Sequence, residues 1–186
     1  MSNLKMGYIL VISLSLLLGC FSYSFFKDVI NGIEKEDFFV FASSNNYMKE
    51  FFANAKVTDS EYLKGSAIVN NYRIVLDIAL TDKQVQEGLA IKNSLNENEG
   101  MLFFLGEPQK ASFWMKNMKF PIDIIWLNEN FSIVHIEQEL QPCESVSYCK
   151  SYKPNSEALY VLETTAGFTK RHNLQIGDNV DFQLIK

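Results

Sequence analysis

The chain has 186 residues, and its 17 Lys and Arg against 22 Asp and Glu leave a net charge of −5 at pH 7. With 47% hydrophobic and only 21% charged residues it can bury a core, which excludes a disordered chain, and the length fits one domain with an appendage. The acidic balance, with no Lys/Arg stripe, argues against nucleic acid as a partner, and 3 Cys and 2 His argue against a disulfide-dense miniprotein or a His-rich metal site.

Met6 to Phe26 carry no charged side chain, and Lys5 precedes them. A helix of about 20 such residues spans the hydrocarbon of a bilayer, so residues 1–26 are expected to be an export signal or anchor. Leu17-Leu18-Gly19-Cys20 resembles a lipobox, with Cys20 the lipidated residue, although Leu18 departs from the small or β-branched residue preferred there. Ser22-Tyr23-Ser24 is a small-x-small cleavage pattern. An uncleaved helix, a lipoprotein and a secreted protein therefore all stand. Each keeps Lys5 inside and puts the remainder on the extracytoplasmic side, at the cell surface or in the periplasm. The membrane is the partner expected through this segment.

Residues 27–64 read as a stalk or linker, with turn-rich breaks at Ser43–Asn46 and Thr58–Ser60 and a short helix predicted near Asn46–Ala55. The β pattern occupies residues 65–186. Ser66–Asn70 and Tyr72–Leu80 flank Asn70-Asn71, a hairpin signal, and Ile74, Leu76, Ile78 and Leu80 share one face. Thr81-Asp82-Lys83-Gln84 is a capping box opening a helix that Gly88 ends. Strands are then predicted at Met101–Leu105, Ser112–Asn117, Ile122–Leu127, Phe131–Glu139, Glu157–Thr164 and Ile176–Ile185, with a helical turn near Thr165–His172. Such a set indicates a mainly β fold, a small antiparallel sandwich or jelly-roll-like barrel with one or two short helices.

In an exported domain, Cys143 and Cys149 are expected to form a local structural disulfide that pins a loop. Their spacing lacks the two intervening residues of a redox pair, and no second pair or well-placed His completes a metal site.

Several ordered motifs carry a family resemblance. Gly100-Met101-Leu102-Phe103-Phe104, Phe113-Trp114-Met115-Lys116-Asn117, Pro121-Ile122-Asp123-Ile124, Ala158–Glu163 with Ala166-Gly167, and Gly177-Asp178 resemble the signature of the DUF192 family, a domain of unknown function. Pro142-Cys143 and Cys149 also match a family feature, and the likeness runs from Asp77 to Lys186. Gly88-Leu89-Ala90-Ile91-Lys92 departs from the Met-aromatic-Arg run that the family places after Gly-Leu. The resemblance implies a small jelly-roll-type sandwich, often exported or membrane-anchored. It implies no reaction and no cofactor.

Candidate site residues follow from chemistry. If Phe113–Asn117 is a strand, Trp114 and Lys116 share a face while Asn117 points the other way. A Trp beside a Lys can stack on a sugar or metabolite and donate a hydrogen bond, although a packed Trp beside a solvated Lys fits the same pattern. Asp123 is expected within reach of Lys116, either orienting a ligand or fixing the Phe120-Pro121 turn. Glu99 and Glu163 are the carboxylates that a hydrolase would pair, provided that they face one another. His135 and His172 lie in no nucleophile motif, and Met101, Met115, Met118 and His135 are the ligands a copper site would use. The leading expectation is a tethered ligand-binding or accessory module around Trp114, Lys116, Asn117, Asp123 and Glu99, binding a sugar or other metabolite. A protein-interaction domain of the envelope and a carboxylate hydrolase are the alternatives.

Overall fold

A computed structural model describes residues 45–143 and 148–185. The expected anchor over residues 1–26, with Cys20, and the first part of the stalk lie outside the described residues. Among the described residues, no helix is long and apolar enough to cross a membrane.

Helix α1 (Asn45–Asn54) forms where a short helix is predicted. Met48 and Phe52, four residues apart and so on one face, are both buried. Phe52 packs against Phe104, Phe182 and Tyr160 with ring centroids 5.6, 5.9 and 6.1 Å away. Burying a Phe gains about 1.5–3 kcal/mol, so this end of the expected linker belongs to the domain core.

Strands β1 (Leu63–Val69) and β2 (Tyr72–Ala79) pair antiparallel around Asn70 and Asn71, whose φ angles of 46° and 67° suit a tight hairpin turn that Asn tolerates. The capping box then forms as predicted. The Thr81 side chain accepts from the Gln84 amide, and Gln84 reaches back to cap helix α2 (Asp82–Glu87). A 3-10 turn (Gly88–Ile91) follows, which the sequence pattern does not announce.

This helical connection returns the chain to the end where β2 began, so β3 (Glu99–Gln109) runs parallel to β2. Among the described residues it is the one parallel pair in an otherwise antiparallel arrangement, a departure from the all-antiparallel expectation. Next come β4 (Phe113–Trp114), β5 (Ile122–Leu127), β6 (Ile133–Leu140), β7 (Ser151–Tyr152), β8 (Ala158–Thr165), helix α3 (Phe168–Arg171) and β9 (Asp181–Ile185). The predicted Ser112–Asn117 strand shrinks to two residues because the chain turns at Lys116-Asn117, with Asn117 left-handed at φ 61°.

Seven strands form one sheet in the order β6-β5-β8-β3-β2-β1-β9, and β4 and β7 form a small second sheet. The large sheet curls until a Ser132–Asn179 bridge joins its two edges at one corner, but it does not close into a barrel. The fold is mainly β and sandwich-like. Both faces are covered. Leu102, Phe104, Tyr160 and Leu162 enter one apolar cluster, and their neighbours Met101, Phe103 and Val161 enter another. Strands β5 and β8 are therefore buried on both faces. Gly100 lets β8 approach closely, because a Cβ there would stand 2.7 Å from the Glu163 carbonyl oxygen.

Candidate functional site

The central strand β8 carries an acid on its apolar second face. Glu163 lies opposite Met101 on one side and Ile124 on the other, and it is 5% exposed. Its Oε2 has no hydrogen-bond partner. Burial pushes the Glu163 carboxyl up to about 8, and the Leu89 backbone amide only partly offsets this. The acid is therefore held neutral at pH 7.

Glu163 lines a cavity of about 760 Å3. Its walls come from α2 and the 3-10 turn, with Val85 and Leu89, and from Phe103 on β3 and Phe113 on β4. Gly88, at φ 49°, turns the chain between α2 and the 3-10 turn, and a Cβ there would stand 3.9 Å from the free Glu163 oxygen. Trp114 and Lys116 also line this space. Trp114 is 47% exposed, and the Lys116 ammonium lies 5.0 Å from the centre of its ring. The pair meets although the chain is no longer a strand at Lys116.

The rim is braced from outside. β4 pairs with β7 through Phe113–Tyr152 and Trp114–Ser151. The Cys143–Cys149 disulfide forms as expected, with its Cα atoms 5.4 Å apart. The Cys143 amide donates to the Met115 carbonyl at 3.2 Å, so the bridged loop is tied to the segment that carries Trp114 and Lys116.

Asn117, Asp123 and Glu99 do not line the cavity. Asn117 is exposed in the turn. Asp123 is fully buried, and its partners replace the expected Lys116 contact. Its Oδ1 accepts from the Glu139 and Gly167 amides at 2.8 and 2.9 Å, and its Oδ2 from the Thr169 amide and hydroxyl at 2.9 and 2.6 Å. Asp123 thus fixes a turn, but the one that opens α3 and not Phe120-Pro121. Glu99 begins β3 and accepts from the Asn96 amide, which holds its carboxyl below the usual range. Of Glu99, Asp123 and Glu163, only Glu163 faces the cavity.

Other polar clusters lie elsewhere. Glu97 accepts from Arg171, Thr165 and the His172 ring, and the Arg171 guanidinium above all holds its carboxyl down at about 2. Asp77, paired with Lys64 and Lys92, is pushed up by burial but drawn lower still by the two ammonium groups. Met101 and Met115 fill the second core cluster, Met118 lies on its edge, and His135 packs on Trp126 at 5.3 Å. Among the described residues, no three His, Cys, Asp or Glu side chains gather as a metal site.

The family model DUF192, described as an uncharacterised ACR, matches residues 66–182. The chain belongs to the DUF192 family. Two crystal structures share its fold. A "putative transcription regulator" from Sinorhizobium meliloti is 24% identical at a TM-score of 0.58, over 69% of this chain and 98% of that one. A protein of unknown function from Novosphingobium aromaticivorans is 25% identical at 0.57, over 70% and 96%. No curated protein matches the chain. This DUF192 domain therefore takes no reaction from its relatives, and what it does has to be argued from the site.

The sequence pattern singles out Trp114 and Lys116, which line the cavity, but offers Glu163 only as one of two carboxylates that a hydrolase would pair. A signal was present. Ala158 to Leu162 is an unbroken apolar run, the mark of a strand buried on both faces. A Glu continuing that run is inside.

Proposed function

We propose that this DUF192 protein is a membrane-tethered, extracytoplasmic module that binds a small molecule in the cavity between α2, β3 and β4. One observation carries the reading: a buried carboxyl with an unpartnered oxygen belongs to a residue lining a space large enough for a metabolite, with Leu89, Phe103 and Phe113 in its walls and an exposed Trp and a Lys at the rim. Ligand sites commonly occupy about 300–1,000 Å3, apolar with few convergent polar groups. Leaving a buried acceptor unpaired costs about 1–3 kcal/mol, and a bound ligand that satisfies Glu163 recovers that cost. The uncharged Met6–Phe26 segment and the Cys143–Cys149 bridge support the extracytoplasmic placement, since such bridges persist in oxidising compartments.

The test is a thermal-shift screen of the full chain against sugars, small metabolites and divalent metals. A ligand that binds only the folded state adds about 2.7 kcal/mol at a hundredfold excess over Kd. The expected result is a shift with one metabolite class that disappears in Trp114→Ala while the unliganded melting temperature holds. Silence across the panel, with one stoichiometric partner captured by crosslinking in the membrane, replaces this reading with an envelope interaction domain.

A further inference from the structure

The charges lining the cavity are lopsided. Among the described residues, Asp82, Glu87, Glu107 and the buried Glu163 face a single cation, Lys116, and neither Arg nor His takes part. Glu87 and Glu107 reach outward to Lys83 at 4.0 Å and Lys49 at 3.3 Å, while the free oxygen of Glu163 meets no cation among them. The exposed Trp114 ring already holds one ammonium over its face, the geometry of a cation–π contact. An anion entering this space would meet more acidic than basic side chains. A cation would find a buried acid to pair with.

We propose that the cavity takes an organic cation, an amine on an apolar body, with Glu163 as its buried counter-ion. This rests on the ligand-binding reading and names the chemical class. Phe103, Phe113 and Leu89 pack the body of the ligand, and its ammonium group pairs with the Glu163 carboxylate, which lines the same space. The protons balance simply. Neutral Glu163 gives its proton to solvent as the ammonium arrives, and a carboxylate–ammonium pair remains. Burial holds the empty acid neutral up to about 8, so binding at pH 7 releases close to one proton.

The groups around Glu163 leave this titration to the ligand. Met101, Ile124 and Phe103 flank it on the neighbouring strands, and Gly88 and Leu89 cover it from the 3-10 turn. Asp82 on α2 and Glu107 on β3 are exposed, and Glu87 on α2 and Lys116 after β4 are half-buried. Asp77 is on β2, beyond β3, and is already paired with Lys64 and Lys92. Burial raises the Glu163 carboxyl and the Leu89 amide tempers the rise.

The experiment is isothermal titration of the full chain with phenethylamine, 2-phenylethanol and 3-phenylpropionate, which share an aromatic body and differ in charge. Phenethylamine is expected to bind at least about tenfold more tightly than either comparator, with buffer-dependent heats that report proton release at pH 7. Glu163→Gln, isosteric with the neutral acid, is expected to lower amine affinity roughly tenfold or more while its circular dichroism and melting curve show an intact fold. Preference for the alcohol or the carboxylate overturns the amine assignment and leaves a ligand site of another class. Amine binding that releases no proton, or that Glu163→Gln does not change, overturns it too. If none of the three probes binds, the amine assignment falls, and the metabolite panel decides the broader reading separately.

Discussion

Two buried acids on neighbouring strands illustrate how burial alone does not define a role. Asp123 lies between two Ile and Glu163 ends an apolar run, but Asp123 accepts four hydrogen bonds while Glu163, which lines the cavity, keeps one buried oxygen without a partner. The first is structural. Asp123→Asn replaces one accepting oxygen with a donor aimed at other donors, so two bonds are lost and a buried amide is left unpaired. Chemical denaturation is expected to show a loss of about 2–4 kcal/mol; a loss below about 0.5 kcal/mol would mean that the α3 turn holds without it. The hydroxyl of Tyr160 makes the opposite case. It is buried without a partner while its ring stacks on Phe131 at 4.3 Å. Tyr160→Phe keeps the stack and removes the unpaired group, so stability should hold or rise by about 1 kcal/mol in the same measurement.

At the scale of elements, much of the chain was legible because local chemistry and tertiary packing agree. The Asn70-Asn71 hairpin, the Thr81–Gln84 capping box and the alternation in β2 each rest on a residue type that suits one backbone conformation. What was not legible depends on partners distant in sequence. The parallel pairing of β3 follows from the crossover geometry, and the shortening of β4 follows from a turn that Asn117 allows. Glu163 became part of a site because α2 and the 3-10 turn fold over it, about 75 residues away along the chain. The disulfide was visible in the spacing, but its work was not. It closes the loop whose Cys143 amide donates to the Met115 carbonyl, beside the Trp114 segment that β7 pairs with. Cys143→Ser with Cys149→Ser is therefore expected to cost about 2–3 kcal/mol and also to raise Trp114 fluorescence quenching by iodide. Unchanged quenching would restrict the bridge to stability.

At the scale of the whole molecule, the perturbed acids pull in opposite directions and together set a pH optimum. Glu97 is held down at about 2 by Arg171, and Asp77 and Glu99 lie below their usual values, so the stability they contribute is present above pH 4.5 and is lost as pH falls. Glu97 is more than a third exposed, so its share is screened and small. Glu163 acts the other way. Between its ordinary 4.5 and about 8 the unfolded chain ionises while the native acid keeps its proton, so the native state binds more protons and stability falls as pH rises across that window. Above it the slope vanishes. The cost at the top of the window is on the order of 3–5 kcal/mol, since each tenfold change in an acid's ionisation constant corresponds to about 1.4 kcal/mol and water entering the cavity relieves part of it. Melting temperature is thus expected to peak near pH 4.5–5, on the acid side of the usual range of about 5–8. Glu163→Gln is expected to match the wild type at pH 4.5 and to melt higher above pH 8, flattening the descent between them. If the two proteins kept parallel profiles from pH 4.5 to 8, the acid would be ionised in the native state, and the neutral Glu163 on which proton release by an amine depends would be gone with it.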